Sequence, residues 1–347
     1  MTKSKKEKNS ASELRYDLVN NDWVVISKKR TKKWSEFENG KKRKKVLSKD
    51  CFFCHIETQN TPTLIFAGGK EIPFKQGDKI PKNWTTVCFP NKFPAFEADL
   101  ELETKRVGKF FSVMSALGFH EVVATRDHNK PLALLPIERV RELIDVYQSR
   151  YLKLMEYDFV NYIFIFQNHG PEAGASVYHP HSQIITTFLV DQDLAKTTSQ
   201  AKEYSEKNKG CIYCEINKWE REQKERVVFE NEHFIAICPF AYKSAFQVII
   251  SPQKHLSYFE KITEEEKNGL AEVFKKVLTM IYKGLDNPSY NFYLHTSPCD
   301  GKNHDSYHWH WTILPKTYKW AGFELGAKME ILGISPEEAA AFLRKQK

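Results

Sequence analysis

His179-Pro180-His181-Ser182-Gln183 and His308-Trp309-His310-Trp311-Thr312 are the two stretches on which the reading of this chain turns. Each closes a series of landmarks written in the same order. The first series runs Cys51-x2-Cys54, Val87-Cys88-Phe89-Pro90, Glu121-Val122-Val123-Ala124 to His128, and then the double histidine. The second runs Cys211-x2-Cys214, Ile237-Cys238-Pro239-Phe240, Gln247-Val248-Ile249-Ile250 to His255, and then its own double histidine. From His128 to His179 is 51 residues, and from His255 to His308 is 53. Cys88 to His128 spans 40 residues against 17 from Cys238 to His255, which fits an insertion around residues 97–119 of the first copy. Ordered landmarks with one gap mark an internal duplication.

The pattern between the landmarks repeats as well. A helix is predicted over 137–155, with Val140, Leu143, Ile144, Tyr147, Tyr151 and Leu154 on one stripe. Its counterpart starts after Thr263, where Glu266 closes a capping box, and ends near Gly284. Strand-like runs follow at 162–166 and 290–294, and the double-histidine strand comes next. A last helix is predicted over Pro336–Arg344, with Ser335 as N-cap. The expected fold class is α+β: duplicated units, each a mostly antiparallel sheet with a crossing helix. The expected organisation is a disordered basic tail over 1–12, a catalytic half over 13–205 and a second half over 206–347.

Composition narrows the function. With 347 residues, 41% hydrophobic, the chain buries a core without disulfide staples, and collagen-like or wholly disordered classes are excluded. No apolar run reaches the roughly 18 residues of a membrane span, and the N-terminus lacks the apolar stretch of a signal peptide. A soluble, cytoplasmic protein is expected. The net charge of +8 is local: residues 1–50 carry 16 Lys and Arg against 7 Asp and Glu, and the rest is nearly neutral. The basic excess reads as an exposed tail with the run Lys41-Lys42-Arg43-Lys44-Lys45, rather than as an RNA-binding arm. Seven cysteines, an odd number, argue against a disulfide framework.

Zinc takes four sulfur and nitrogen ligands in a tetrahedron. Cys51, Cys54, His128 and His179 supply one such set, and Cys211, Cys214, His255 and His308 a second. Four protein ligands make a closed, structural site. His55, His120 and His233 are left over and read as ordinary polar or packing residues. In a strand, His179, His181 and Gln183 share a face. With His179 on metal, His181 is held beside it. A nucleophilic imidazole needs one unprotonated nitrogen and its other N–H tied to an acceptor such as a backbone carbonyl. Gln183 is placed to donate to a phosphoryl oxygen. Upstream, the turn-rich segment from Asn168 to Ser176 offers backbone N–H groups and a hydroxyl to phosphate.

Asn168-x-Gly-x3-Gly-x-Ser-x2-His-Pro-His-x-Gln183 resembles the active-site motif of the galactose-1-phosphate uridylyltransferase family, a duplicated branch of the histidine triad superfamily. The resemblance covers most of the chain, including Asn91-Lys92-Phe93-Pro94-Ala95 as a nucleoside-binding turn. It implies a covalent nucleotidyl group on His181, with Gln183 holding the phosphoryl oxygens. It implies substrate contacts at Arg30, Asn91, Asn168, Ser176 and Lys319, nucleotide-sugar and sugar-phosphate substrates, and a homodimer. The primary expectation is transfer of UMP from UDP-glucose to a hexose 1-phosphate. Departures are Lys92 where well-known members have an acidic residue, Glu330 or a neighbour in place of a glutamine, and no glutamate at 195–198 for a second metal with His295, His308 and His310. Thr312 stands where the second half would need a glutamine, so that half is expected to be silent. Alternatives are a nucleotide-sugar or dinucleotide phosphorylase and, more distantly, a zinc-stabilised RNA-binding protein.

Overall fold

The structure is a computed structural model that describes residues 12–27 and 45–346. All but the last residue of the expected tail lies outside the described residues, and so does Arg30. In chain order, β1 (Glu13–Asp17) and β2 (Asp22–Ile26) form a hairpin. The first half then contributes β3 (Leu64–Ala67), β4 (Lys70–Ile72), β5 (Trp84–Pro90), β6 (Thr104–Val107), β7 (Phe111–Met114) and β8 (His120–Thr125). Helix α1 (Ile137–Leu154) leads to β9 (Tyr162–His169) and β10 (His181–Thr187). Helices α2 (Gln192–Asn208) and α3 (Ile212–Gln223) connect to β11 (Val227–Glu230), β12 (Phe234–Ile237) and β13 (Val248–Pro252). Helix α4 (Glu264–Gly284), β14 (Tyr290–His295), β15 (His310–Pro315), α5 (Gly322–Ala327), β16 (Ile331–Leu332) and α6 (Pro336–Arg344) complete the chain.

Eleven strands form one sheet in the order β11-β12-β13-β15-β14-β9-β10-β8-β5-β3-β4. Read outward from the middle, β9-β10-β8-β5 mirrors β14-β15-β13-β12, so the duplication in sequence is a duplication in space. All its pairings are antiparallel. The halves meet at β9 and β14, where Asn168 lies opposite Asn291. The expected α+β architecture is what is found.

Helices α1 and α4 cross the same sheet face and pack on each other. Their apolar stripes dictate this: Val140, Leu143, Ile144, Tyr147, Tyr151 and Leu154 of α1 are all buried. Each such side chain contributes on the order of 1.5–3 kcal/mol by leaving water. In α4 the Thr263–Glu266 capping box is present, and Phe274 meets Trp311 of β15 edge-on at 5.3 Å. The opposite face of the sheet carries His181 and Gln183.

Two features differ from the sequence reading, and a third gives the expected insertion its form. The double-histidine strand begins at His181, because Pro180 has no N–H for the ladder. The insertion is a separate ribbon, β6–β7, with Phe110 and Phe111 exposed. The boundary expected between 205 and 206 falls inside α2.

Behind the active face, Glu121 of β8 takes two hydrogen bonds from Arg150 of α1, at 2.9 and 2.8 Å, with both residues buried. Removing one partner leaves an uncompensated buried charge. Arg150→Met is therefore expected to lower stability by about 3–5 kcal/mol. Urea unfolding would check this, and E121L/R150M should recover much of the loss.

Candidate active site and metal centres

The described residues hold two groups of four possible metal ligands, Cys51, Cys54, His128, His179 and Cys211, Cys214, His255, His308. Within each group all ligand atoms lie within 4.8 Å of one another. In the first, Sγ of Cys51 and of Cys54 each lie 3.6 Å from His179 Nδ1, and Cys54 Sγ is 3.2 Å from His128 Nδ1. A tetrahedron with zinc–sulfur and zinc–nitrogen bonds of roughly 2.3 and 2.0 Å has S···N edges of about 3.5 Å. The donor set and its spacing thus fit zinc.

The histidines are held for this task. His179 Nε2–H donates to the Thr125 carbonyl at 2.6 Å and His128 Nε2–H to the Val46 carbonyl at 2.8 Å. In the second group His308 donates to Pro252 O at 3.0 Å and His255 to Asp305 O at 2.6 Å. Each backbone carbonyl fixes the tautomer and leaves Nδ1 as the ligand atom. Burial pushes His179 down to about 4, so its ring is neutral. The first cysteine pair sits in a turn, closed by Cys54 N–H on Cys51 O at 3.1 Å. The second differs: Cys211 caps α3 and Cys214 lies in its first turn.

His181 follows at once. Its Nδ1–H donates to the His179 carbonyl at 2.9 Å, so the proton sits on Nδ1 and the lone pair on Nε2. Phe53, between the knuckle cysteines, meets the His181 ring edge-on at 4.9 Å. On the far side of the sheet the Ser182 hydroxyl bonds Tyr147 of α1 at 2.8 Å. The double-histidine strand is thus gripped from both faces. Gln183 shares the face of His181, and its Oε1 lies 2.7 Å from Nε2 of His120. That places His120 beside Gln183, against the expectation that it is spare; the contact is between residues 63 apart in sequence, and no local signal announces it. Asn91 joins the same cluster, with its Nδ2 3.1 Å from His120 Nε2 and its Oδ1 accepting the Phe93 N–H at 2.9 Å.

The loop before the strand is shaped by glycines. Gly170 has φ +85° and ψ 158°, and a Cβ there would meet Ser289 Oγ at 2.1 Å. The N–H groups of Ala173, Gly174 and Ala175 bond inside the loop, so they do not form the expected phosphate cradle. Ser176 remains exposed at its end. Asn168 is held by the second half: Asn291 Nδ2 donates to its Oδ1 at 2.7 Å and to Ala173 O at 2.9 Å. Lys319 lines a cleft of about 550 Å³ with Lys316 and the loop residues Pro171 and Glu172. Lys316 was not anticipated from sequence. Glu330 is buried beside β2, where its carbonyl accepts the Val25 N–H at 2.9 Å.

The second half repeats the frame with different side chains. His310 Nδ1–H donates to His308 O at 3.2 Å and its ring lies 5.5 Å from Tyr213. Thr312 replaces the glutamine, and His295 lies against His310 at 4.9 Å. A cavity of about 770 Å³ opens here, lined by Tyr213, His295, Tyr307, His310 and Thr312, and does not include His181. Volume alone does not single out a site: Gln183 follows His181 at the place where the second half has Thr312.

A double-histidine strand beside a cluster of cysteines and histidines, in a sheet written twice, makes a duplicated α+β protein with a matching candidate site in each half. The chain belongs to the galactose-1-phosphate uridyl transferase family: residues 1–190 match the model of its N-terminal domain and residues 197–334 that of its C-terminal domain. It is 31% identical to galactose-1-phosphate uridylyltransferase of Thermotoga maritima, over 96% of this chain and 98% of that protein. It is 29% identical to ADP-glucose phosphorylase of Arabidopsis thaliana, over 97% of this chain and 93% of that protein. The crystal structure of an ADP-glucose phosphorylase from Arabidopsis thaliana with bound ADP-glucose superposes with a TM-score of 0.79 at 27% identity, covering 97% of this chain and 100% of that one.

Gly170 tests the loop. Gly170→Ala forces a side chain into backbone space that only glycine occupies easily, at a cost on the order of 1–3 kcal/mol. Its urea midpoint should fall accordingly, and adding Ser289→Ala, which removes the Oγ at 2.1 Å but leaves the Cβ and Cα of that residue at 2.8 and 3.0 Å, should restore only part of it.

Proposed function

We propose that the chain is a nucleotidyltransferase that moves UMP from UDP-glucose to a hexose 1-phosphate through a covalent nucleotidyl group on His181. The observation that carries this is the His181 Nδ1–H bond to His179 O, with Gln183 on the same face. The names and extent of the relatives support it.

In the first step the lone pair on His181 Nε2 attacks the α-phosphorus. An N–P bond forms, the P–O bond to the sugar phosphate breaks, and hexose 1-phosphate leaves with that electron pair. In the second step a phosphate oxygen of another hexose 1-phosphate attacks the same phosphorus, and the P–N bond breaks. Splitting the transfer gives ping-pong kinetics. The His179 carbonyl stabilises the positive imidazole as it forms. The Gln183 amide N–H faces the phosphoryl oxygens, where charge builds. Asn91 faces the ribose, Asn168 and Ser176 shape and contact the phosphate side, and Arg30, Lys319 and Lys316 supply positive charge. Cys51, Cys54, His128 and His179, and again Cys211, Cys214, His255 and His308, would hold zinc, which would supply a structural crosslink. The seven cysteines are free among the described residues, which suits a reducing compartment such as the cytoplasm. No described helix is long and apolar enough to cross a membrane. The exposed Phe110 and Phe111 ribbon supports a homodimer.

A second reading is an ADP-glucose phosphorylase, with inorganic phosphate as acceptor. Lys92 beside Asn91, and the likeness to the Arabidopsis phosphorylase, support it.

Exchange of labelled glucose 1-phosphate into UDP-glucose, with no other acceptor present, tests the proposal. The wild-type chain should catalyse it, and His181→Ala should lower it on the order of a thousandfold or more while keeping fold and metal. Exchange with ADP-glucose alone would select the second reading. Elemental analysis should find two zinc ions per chain, with Cys51→Ser and Cys211→Ser each losing one and Cys51→Ser also losing exchange.

A further inference from the structure

We infer that His120 is a positioning residue that sets which end of the Gln183 amide faces the substrate. The inference rests on the nucleotidyl transfer proposed above.

The argument starts from a group that cannot flip. The backbone N–H of Ala95 donates to His120 Nδ1 at 3.0 Å. A neutral imidazole has one N–H, so the proton must sit on Nε2. Nε2 lies 2.7 Å from the Gln183 side chain and donates to it, which requires the amide oxygen at that end. Were the amide reversed, two donors would face each other. The Gln183 NH2 is thereby turned away from His120, on the strand face it shares with His181. Asn91 Nδ2, 3.1 Å from the same His120 nitrogen, is a close neighbour rather than a donor, since that nitrogen already carries a proton.

The register makes this device possible. On β8 and β10 Gln183 lies opposite Val122, and His120 lies opposite Ile185, so the two side chains are diagonal neighbours on one face. The Ala95 N–H comes from the turn that contains Asn91. The nucleoside-binding turn and the phosphoryl-binding amide are therefore joined through one imidazole. The second half has a glutamine, Gln247, at the matching place, two residues before Ile249, which pairs with Thr312. Its Oε1 accepts the Lys243 N–H at 2.7 Å, as His120 accepts that of Ala95. A glutamine is thus a natural stand-in.

The test compares single-turnover formation of the nucleotidyl adduct from UDP-glucose or ADP-glucose in wild type, H120F, H120Q, Q183A and H120F/Q183A. H120F keeps a ring but has no N–H; its rate constant should fall roughly ten- to a hundredfold, with KM for the donor little changed. H120Q should recover most of the rate. The double variant should be no slower than Q183A, because His120 acts through Gln183. In ¹⁵N-histidine-labelled protein the His120 ring should carry its proton on Nε2. A Nδ1–H tautomer, or losses that multiply in the double variant, would overturn the inference and leave the transfer standing. Absence of adduct in wild type would overturn the transfer and this inference together. Equal melting temperature and zinc content across the set separates positioning from folding.

Discussion

The hydrogen bond from His181 Nδ1 to the His179 carbonyl ties the proposed nucleophile to the cysteine–histidine cluster. Two residues of one chain carry both ends. The His179 ring is fixed by Thr125 O on one nitrogen and by the cysteine cluster on the other, so its carbonyl cannot turn. That immobile carbonyl then chooses the tautomer of His181. An imidazole on a loose loop would populate both tautomers and several rotamers, and only one presents a lone pair to phosphorus. The knuckle, the turn at Pro180, Tyr147 behind Ser182 and Phe53 beside the ring all serve that one orientation.

The second half keeps its scaffold because the first half leans on it. Strand β14 pairs with β9, and Asn291 holds both Asn168 and the Ala173 carbonyl. Ser289 lies against Gly170, which is why that position takes no side chain. The two halves of the duplicated sheet therefore differ. His181 is followed by Gln183, while His310, with Thr312 and a close His295, stands in the half from which the loop is held.

Much of this was legible because the repeat made each landmark check the other. Both groups of possible metal ligands, both crossing helices, the capping box at Thr263 and the double-histidine strand follow from spacing and periodicity. What escaped depends on contacts between distant residues. His120 reads as a surplus histidine, since nothing local reveals that Ala95 and Gln183 meet at its two nitrogens. The loop from 168 to 176 reads as a phosphate cradle, yet three of its N–H groups are consumed by its own turns. The helix 192–208 carries a weak apolar stripe, with only Leu194 and Ala201 buried, and periodicity has little to register there.

The central claim is that His181, and neither His310 nor any other group, carries the nucleotidyl intermediate. Peptide mapping by mass spectrometry answers this, after a brief incubation with UDP-glucose or ADP-glucose and digestion at alkaline pH, where phosphorus–nitrogen bonds survive. The account predicts a nucleotidyl mass on the peptide containing His181. The same mass on the His310 peptide, or turnover with no covalent adduct on any histidine, would contradict it.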